Sequence, residues 1–160
     1  MKYWLLKSEP ESYSIDDLAR DEVTPWEGVR NYQARNYMWK EMQVGDLAFF
    51  YHSNAAPPGV VGLMKIASEA HPDQSAFEKK GDYFDPKSSP EKPAWHCVNV
   101  EFLEKFTQVV SLESLKAEKA LSNMLVLKRG MRLSVQPLLP ADFLKVCQLA
   151  QSKVLKNLPL

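Results

Sequence analysis

The chain has 160 residues, of which 45% are hydrophobic and 25% charged, with 20 Lys and Arg balancing 20 Asp and Glu. That length suits one domain, and that composition can bury a core, which excludes an extensively disordered chain. Zero net charge argues against binding nucleic acid by bulk electrostatics alone, and no apolar run approaches the ~18 residues that suggest a membrane span.

Residues 2–7, rich in Tyr, Trp and Leu, predict a strand buried on both faces. The segment sits between lysines without a small-residue cleavage site, so it is not a secretion signal. Ser14, three residues ahead of Asp17, predicts a capping box that opens a short helix over Asp16 to Arg20. Val23 to Val29, with Pro25 and Gly28, reads as turn-rich. Asn31 is a good N-cap for a second helix running to about Gln43 and stopped by Gly45. Ala34, Met38 and Met42, four apart, form its buried stripe, and Gln33, Asn36 and Lys40 lie opposite. Asp46 to His52 and Val60 to Ser68 follow as interior strands, separated by a loop at Pro57-Pro58-Gly59.

Residues 71–94, with Pro72, Pro86, Pro90 and Pro93, predict a long loop. Loops of ~15 residues or more are usually functional or disordered; Phe77, Tyr83 and Phe84 favour an ordered one. Trp95 to Phe106 alternates as a long strand, Ser111 caps a short helix, and a further helical stretch covers Lys119 to Met124. Arg132 to Leu138 makes a closing strand. Pro140 then opens a helix whose Phe143, Val146, Cys147, Ala150 and Val154 form one stripe. Cys97 and Cys147 read as buried thiols of a reducing, cytoplasmic compartment. The sum is an α+β domain over residues 1–160: a closed or nearly closed mixed β-barrel of five to six strands with peripheral helices.

Charge is uneven: net −2 over residues 1–65, −4 over 66–104 and +6 over 105–160. Lys128, Arg129 and Arg132 are either a phosphate-facing patch or a solvated face. The densest candidate segment runs from Trp26 through Glu27, Gly28, Val29, Arg30, Asn31, Tyr32, Gln33, Ala34 and Arg35 to Asn36. Trp, Arg, Asn and Gln stack on flat rings or bond base edges, and helix N-terminal amides suit an anion. The alternative is that Trp26 is core, with Arg30 and Arg35 paired to Glu27 and Glu41. His52 and Ser53, adjacent on a strand, point to opposite faces and make a poor base and nucleophile. No metal-type Cys/His/Asp spacing and no glycine-rich phosphate loop occurs, so neither cofactor nor metal is expected.

Lys7-Ser8-Glu9-Pro10, the Trp26–Asn36 segment, Gly45-Asp46 with Phe50-Tyr51-His52-Ser53-Asn54, Tyr83-Phe84-Asp85-Pro86-Lys87 and Arg132 to Leu138 together resemble the EVE domain, in order over nearly the whole chain. The resemblance implies a PUA-like fold, kinship with the YTH domains that read methylated adenine, and a role as a non-enzymatic reader of a modified base in DNA or RNA. It places Lys7, Ser8 and Trp26 at positions that build the YTH base pocket, with Tyr83 or Phe84 as the second cage aromatic. Glu9 stands where a YTH reader has a polar amide. The pocket expected from this is Lys7, Ser8, Glu9, Trp26, Val29, Asn31, Tyr83, Phe84 and Asp85, with Arg30, Arg35, Lys128, Arg129 and Arg132 on the phosphate backbone. The rivals are a hydrolase of modified nucleotides acting through Glu9 or Asp85, and a protein-interaction adaptor using the 71–94 loop.

Overall fold

A computed structural model describes residues 1–157. Strand β1 (Tyr3–Ser8) leads into α1 (Ile15–Asp21), where Ser14 accepts from the Asp17 amide and Asp17 accepts from the Ser14 amide, the capping box the spacing implies. The segment expected to be only turns contributes β2 (Val23–Pro25). Asn31 caps α2 (Tyr32–Asn36) through its bond from the Ala34 amide, and one π-helical turn (Tyr37–Glu41) continues the helix. Its predicted stripe, Ala34, Met38 and Met42, is buried.

β3 (Leu47–His52) and β4 (Gly59–Ile66) follow. The 71–94 segment opens with β5 (His71–Pro72) and a 3-10 turn (Gln74–Phe77). The expected Trp95–Phe106 strand is divided at Val98 into β6 (His96–Cys97), which pairs with β5, and β7 (Asn99–Ser111), which pairs with β2 and β4; the Trp26 amide donates to the Val98 carbonyl one rung beyond the Pro25–Asn99 pair. α3 (Leu112–Ala117), capped by Ser111, is followed by 3-10 turns at Lys119–Leu121 and Leu125–Leu127. β8 (Val135–Leu138) starts three residues later than expected. α4 (Pro140–Ala150) stops at a left-handed Gln151, so Val154 joins the core from a separate 3-10 turn.

Six strands form one mixed sheet in the order β2-β7-β4-β3-β1-β8, with β1 and β3 parallel and the other pairs antiparallel. Register shifts at Phe50/Tyr51, Val60/Gly62 and Leu63/Met64 curl it into a half-barrel, since each extra residue bends its strand. β8 pairs with β1 alone and ends the sheet rather than closing it. This α+β arrangement is the PUA-like fold. β5 and β6 make a separate two-stranded ribbon.

The sheet is buried on both faces, as a central parallel pair requires. Trp4, Leu6, Ala48, Phe50 and Met64 pack with Ile15, Leu18, Met38 and Trp26 on one side. Tyr3, Leu5, Phe49 and Leu63 pack with Leu115, Phe143 and Val146 on the other. The first core depends on α1 lying close to β4: a Cβ at Gly62 would sit 2.5 Å from Ile15 Cδ1 and 2.6 Å from the Glu104 carbonyl oxygen. The backbone oxygen cannot move aside, so Gly62→Ala should lower the urea midpoint by the equivalent of about 1–3 kcal/mol, the usual cost of overpacking.

Cys97 and Cys147 are free and buried. Burial raises both thiols, Cys147 to about 12. Among the described residues no helix is long and apolar enough to cross a membrane, and no His/Cys/Asp/Glu group is arranged to hold a metal.

Candidate functional site

Because β1 and β3 run parallel, both end at the same rim of the half-barrel. Off that rim lies a cavity of about 840 Å³. Lys7, Ser8 and Glu9 supply one wall from the end of β1, and Ser53 follows β3. Thr24 to Arg30 form a second wall, Tyr83 reaches in from the 71–94 loop, and Arg132 and Ser134 approach from the segment before β8.

Each group has a structural reason for its place. Trp26, 6% exposed, packs edge-on against Phe50 at 5.2 Å between ring centroids. It is therefore both core and cavity wall. Ser8 donates to the Tyr13 carbonyl at 2.7 Å, and the Ser53 amide donates to the Ser8 carbonyl at 3.1 Å, pinning the end of β1. Lys7 Nζ donates to the Met131 carbonyl at 3.2 Å, and its burial lowers the ammonium pKa. Burial, and then the bond to Asp21, push the Tyr13 phenol up to about 12, so it stays neutral beside the cavity. Partial burial, reinforced by Asp73, raises the Glu27 carboxyl above its ordinary range.

Tyr83 is set by two features. Gly28 has φ +88°, and a Cβ there would sit 2.6 Å from the Tyr83 ring, so the ring lies on bare backbone. The Tyr83 carbonyl accepts from Arg30 Nη2 at 2.7 Å. Arg30 is fixed in turn by Asp73, which is 1% exposed: one Asp73 oxygen accepts from the Gly28 amide at 2.9 Å and from Arg30 Nη1 at 3.0 Å, the other from the Ser75 amide and hydroxyl. Asp73 thus staples the Trp26–Arg30 loop to the 71–94 loop.

Of the expected pocket residues, the fold gathers Lys7, Ser8, Glu9, Trp26, Val29 and Tyr83 around one cavity, with Arg30 and Arg132 of the expected phosphate contacts. Asn31, Phe84 and Asp85 do not line it. Asn31 is spent as a helix cap, and Asp85 accepts from Trp95 Nε1 at 2.7 Å and from the Lys87 amide. Lys128, Arg129 and Arg35 also lie off the cavity. The pairings with Glu27 and Glu41 do not form: Arg30 goes to Asp73, Arg35 to the Ala94 carbonyl and Asn36, and Glu41 to Lys2. Asp73 was missed; its local signal was the Asp-x-Ser turn of Asp73 and Ser75.

The EVE domain family model matches residues 2–149. Thymocyte nuclear protein 1 of Homo sapiens is 44% identical over 160 residues, covering 88% of this chain and 70% of that protein. Among solved structures, a hypothetical protein from Leishmania major superposes with a TM-score of 0.90 at 42% identity, covering 96% of each chain. The human THYN1 protein, solved in complex with DNA containing 5-methylcytosine, superposes with a TM-score of 0.87 at 43% identity, covering 96% of this chain and 99% of that one.

Proposed function

This chain belongs to the EVE domain family, and from that premise we propose that it binds DNA carrying a methylated base, capturing the base in the cavity between Trp26 and Tyr83. The observation that carries the reading is the pairing of a buried indole wall with a half-exposed tyrosine seated on Gly28, across a cavity of about 840 Å³. The human relative bound to 5-methylcytosine DNA supports cytosine as the first candidate. Extruding a base costs a few kcal/mol, and stacking on one aromatic returns about 1–3 kcal/mol. Glu9 and Glu27 are suited to accept from the exocyclic amine of cytosine. Arg132 and Lys7 supply positive charge at the same cavity for the phosphate. Burying one methyl adds only ~0.8 kcal/mol, so discrimination also needs an unmodified base to leave a group unsatisfied. The reading is one of binding without catalysis, by a single domain in a reducing, cytoplasmic compartment.

The test is binding to matched oligonucleotides in DNA and RNA, each carrying one modified cytosine or adenine, by wild type and Tyr83→Ala. Tyr83 is 40% exposed, so its removal should leave the fold intact and weaken the preferred modified DNA by roughly tenfold, within the worth of one stacked base. Equal affinity for every oligonucleotide would overturn the reading, and preference for a modified RNA would move it to RNA.

A further inference from the structure

We propose that the outer face of α2 and the π-helical turn is a stacking platform for unpaired nucleotides that flank the captured base. The inference rests on the pocket reading for its starting point, and on different residues for its content.

Tyr32, Arg35 and Trp39 stand at i, i+3 and i+7, which puts them on one helical face, distinct from the buried stripe of Ala34, Met38 and Met42. Tyr32 stacks on Trp95 at 4.9 Å and 12°, and Trp39 stacks on the His96 ring at 4.1 Å and 2°. The Arg35 guanidinium lies 4.7 Å from the Tyr32 ring and 5.4 Å from the Trp39 ring. The platform continues to the cavity: Arg30 lies 5.1 Å from the Trp95 ring and 5.7 Å from Tyr83.

A ladder serving only to pin the 71–94 loop would bury its rings, as it buries Trp95. Tyr32 is instead 62% exposed and Trp39 44%, so two planar rings, each already held by a stacked partner, present surface to the outside. Charge narrows the occupant. Arg35 meets the Ala94 carbonyl and the Asn36 side chain and no carboxylate among the described residues, and Lys40 lies 5.1 Å from the Trp39 ring. Uncompensated cations interleaved with exposed aromatic rings match a polyanion carrying flat rings. Duplex bases are already stacked, so the strand that uses these rings is single. Tyr32 and Trp39 are roughly 10 Å apart along the helix at ~1.5 Å per residue, a span that a few nucleotides of one strand bridge.

The probes are a trinucleotide with a central 5-methylcytosine, a long single-stranded DNA carrying the same base, and its duplex, each titrated with the full chain. Tyr32→Ala and Trp39→Ala should each weaken the long single strand about tenfold, the worth of one stacked base, and leave the trinucleotide nearly unchanged. Trp39→Phe should keep most of the affinity and Trp39→Leu should not, because a π face rather than apolar bulk is required. Wild-type affinity for the long strand in both alanine variants, or equal loss on the duplex, overturns the platform. Absence of base preference on the trinucleotide, with the long strand still sensitive to Trp39, sinks the pocket and leaves the platform standing.

Discussion

Asp73→Ala should lower the melting temperature by roughly 6–12 °C, the equivalent of about 3 kcal/mol at ~2–4 °C per kcal/mol for a chain of this size. The carboxylate is almost wholly buried and collects four hydrogen bonds, from Gly28, Arg30 and Ser75. Removing it leaves the Gly28 amide without its acceptor and a largely buried guanidinium, though still bonded to the Tyr83 and Val29 carbonyls, without its counter-charge, and uncompensated buried charge is the expensive part. Arg30 retains some exposure, its side chain being 24% accessible, which keeps the expected loss near the low end of the usual ~3–5 kcal/mol. Asp73→Asn keeps one acceptor and should cost less. In a double-mutant cycle, Arg30→Leu in the Asp73→Ala background should cost less than Arg30→Leu alone; strict additivity in thermal or urea unfolding would show that the two do not act as a unit.

The same staple has a pH signature. Burial alone would raise the Asp73 carboxyl, but the bonds from Ser75, Gly28 and Arg30 outweigh it and hold the pKa below the ordinary value of 3.8. A carboxyl depressed on folding stabilises fully above its unfolded pKa, and that contribution is lost as pH falls through the folded one. Wild type should therefore shed this increment below about pH 4, while Asp73→Ala should show a flatter acid limb. Glu27, raised by partial burial and then by Asp73, acts with the opposite sign: it favours the fold as pH drops through its own folded pKa.

Trp26→Ala should be the most damaging change for ligand binding and among the most damaging for stability. The indole belongs to the core beside Phe50, so truncation should cost about 3–5 kcal/mol of stability, the range for large aromatic residues cut to alanine. It also deletes the cavity wall, which should weaken methylated DNA by roughly 5–150-fold, the equivalent of ~1–3 kcal/mol of stacking. The two effects separate experimentally. Trp26→Phe should recover most of the stability and part of the affinity, and circular dichroism at the binding temperature distinguishes a folded chain without a wall from an unfolded one. A folded Trp26→Ala protein that kept wild-type preference for the methylated base would exclude the indole from recognition.

Local signals were legible because their physics spans a turn or less. The Ser14/Asp17 box, the Asn31 cap and the Ala34/Met38/Met42 stripe need only neighbours three or four residues away. Hydrophobic runs mark most strands, but the three residues of β2 carry no period, and the division at Val98 reflects a change of pairing partner, β5 for β6 and β2 with β4 for β7. Spacing along the chain also suggested the wrong ion pairs, Glu27 and Glu41, where the fold uses Asp73 and a carbonyl.

Local patterning carries most of the element order, the Ser14, Asn31 and Ser111 caps, and the motifs that hold Lys7, Ser8, Glu9, Trp26, Val29 and Tyr83. Which of the candidates share the cavity, and which are spent as caps or loop contacts as Asn31 and Asp85 are, depends on long-range packing. Asp73 reaches Gly28 across 45 residues, and Lys7 reaches Met131 across 124. Such contacts are fixed by strand register and loop closure over the whole sheet, and no local preference of either partner encodes them.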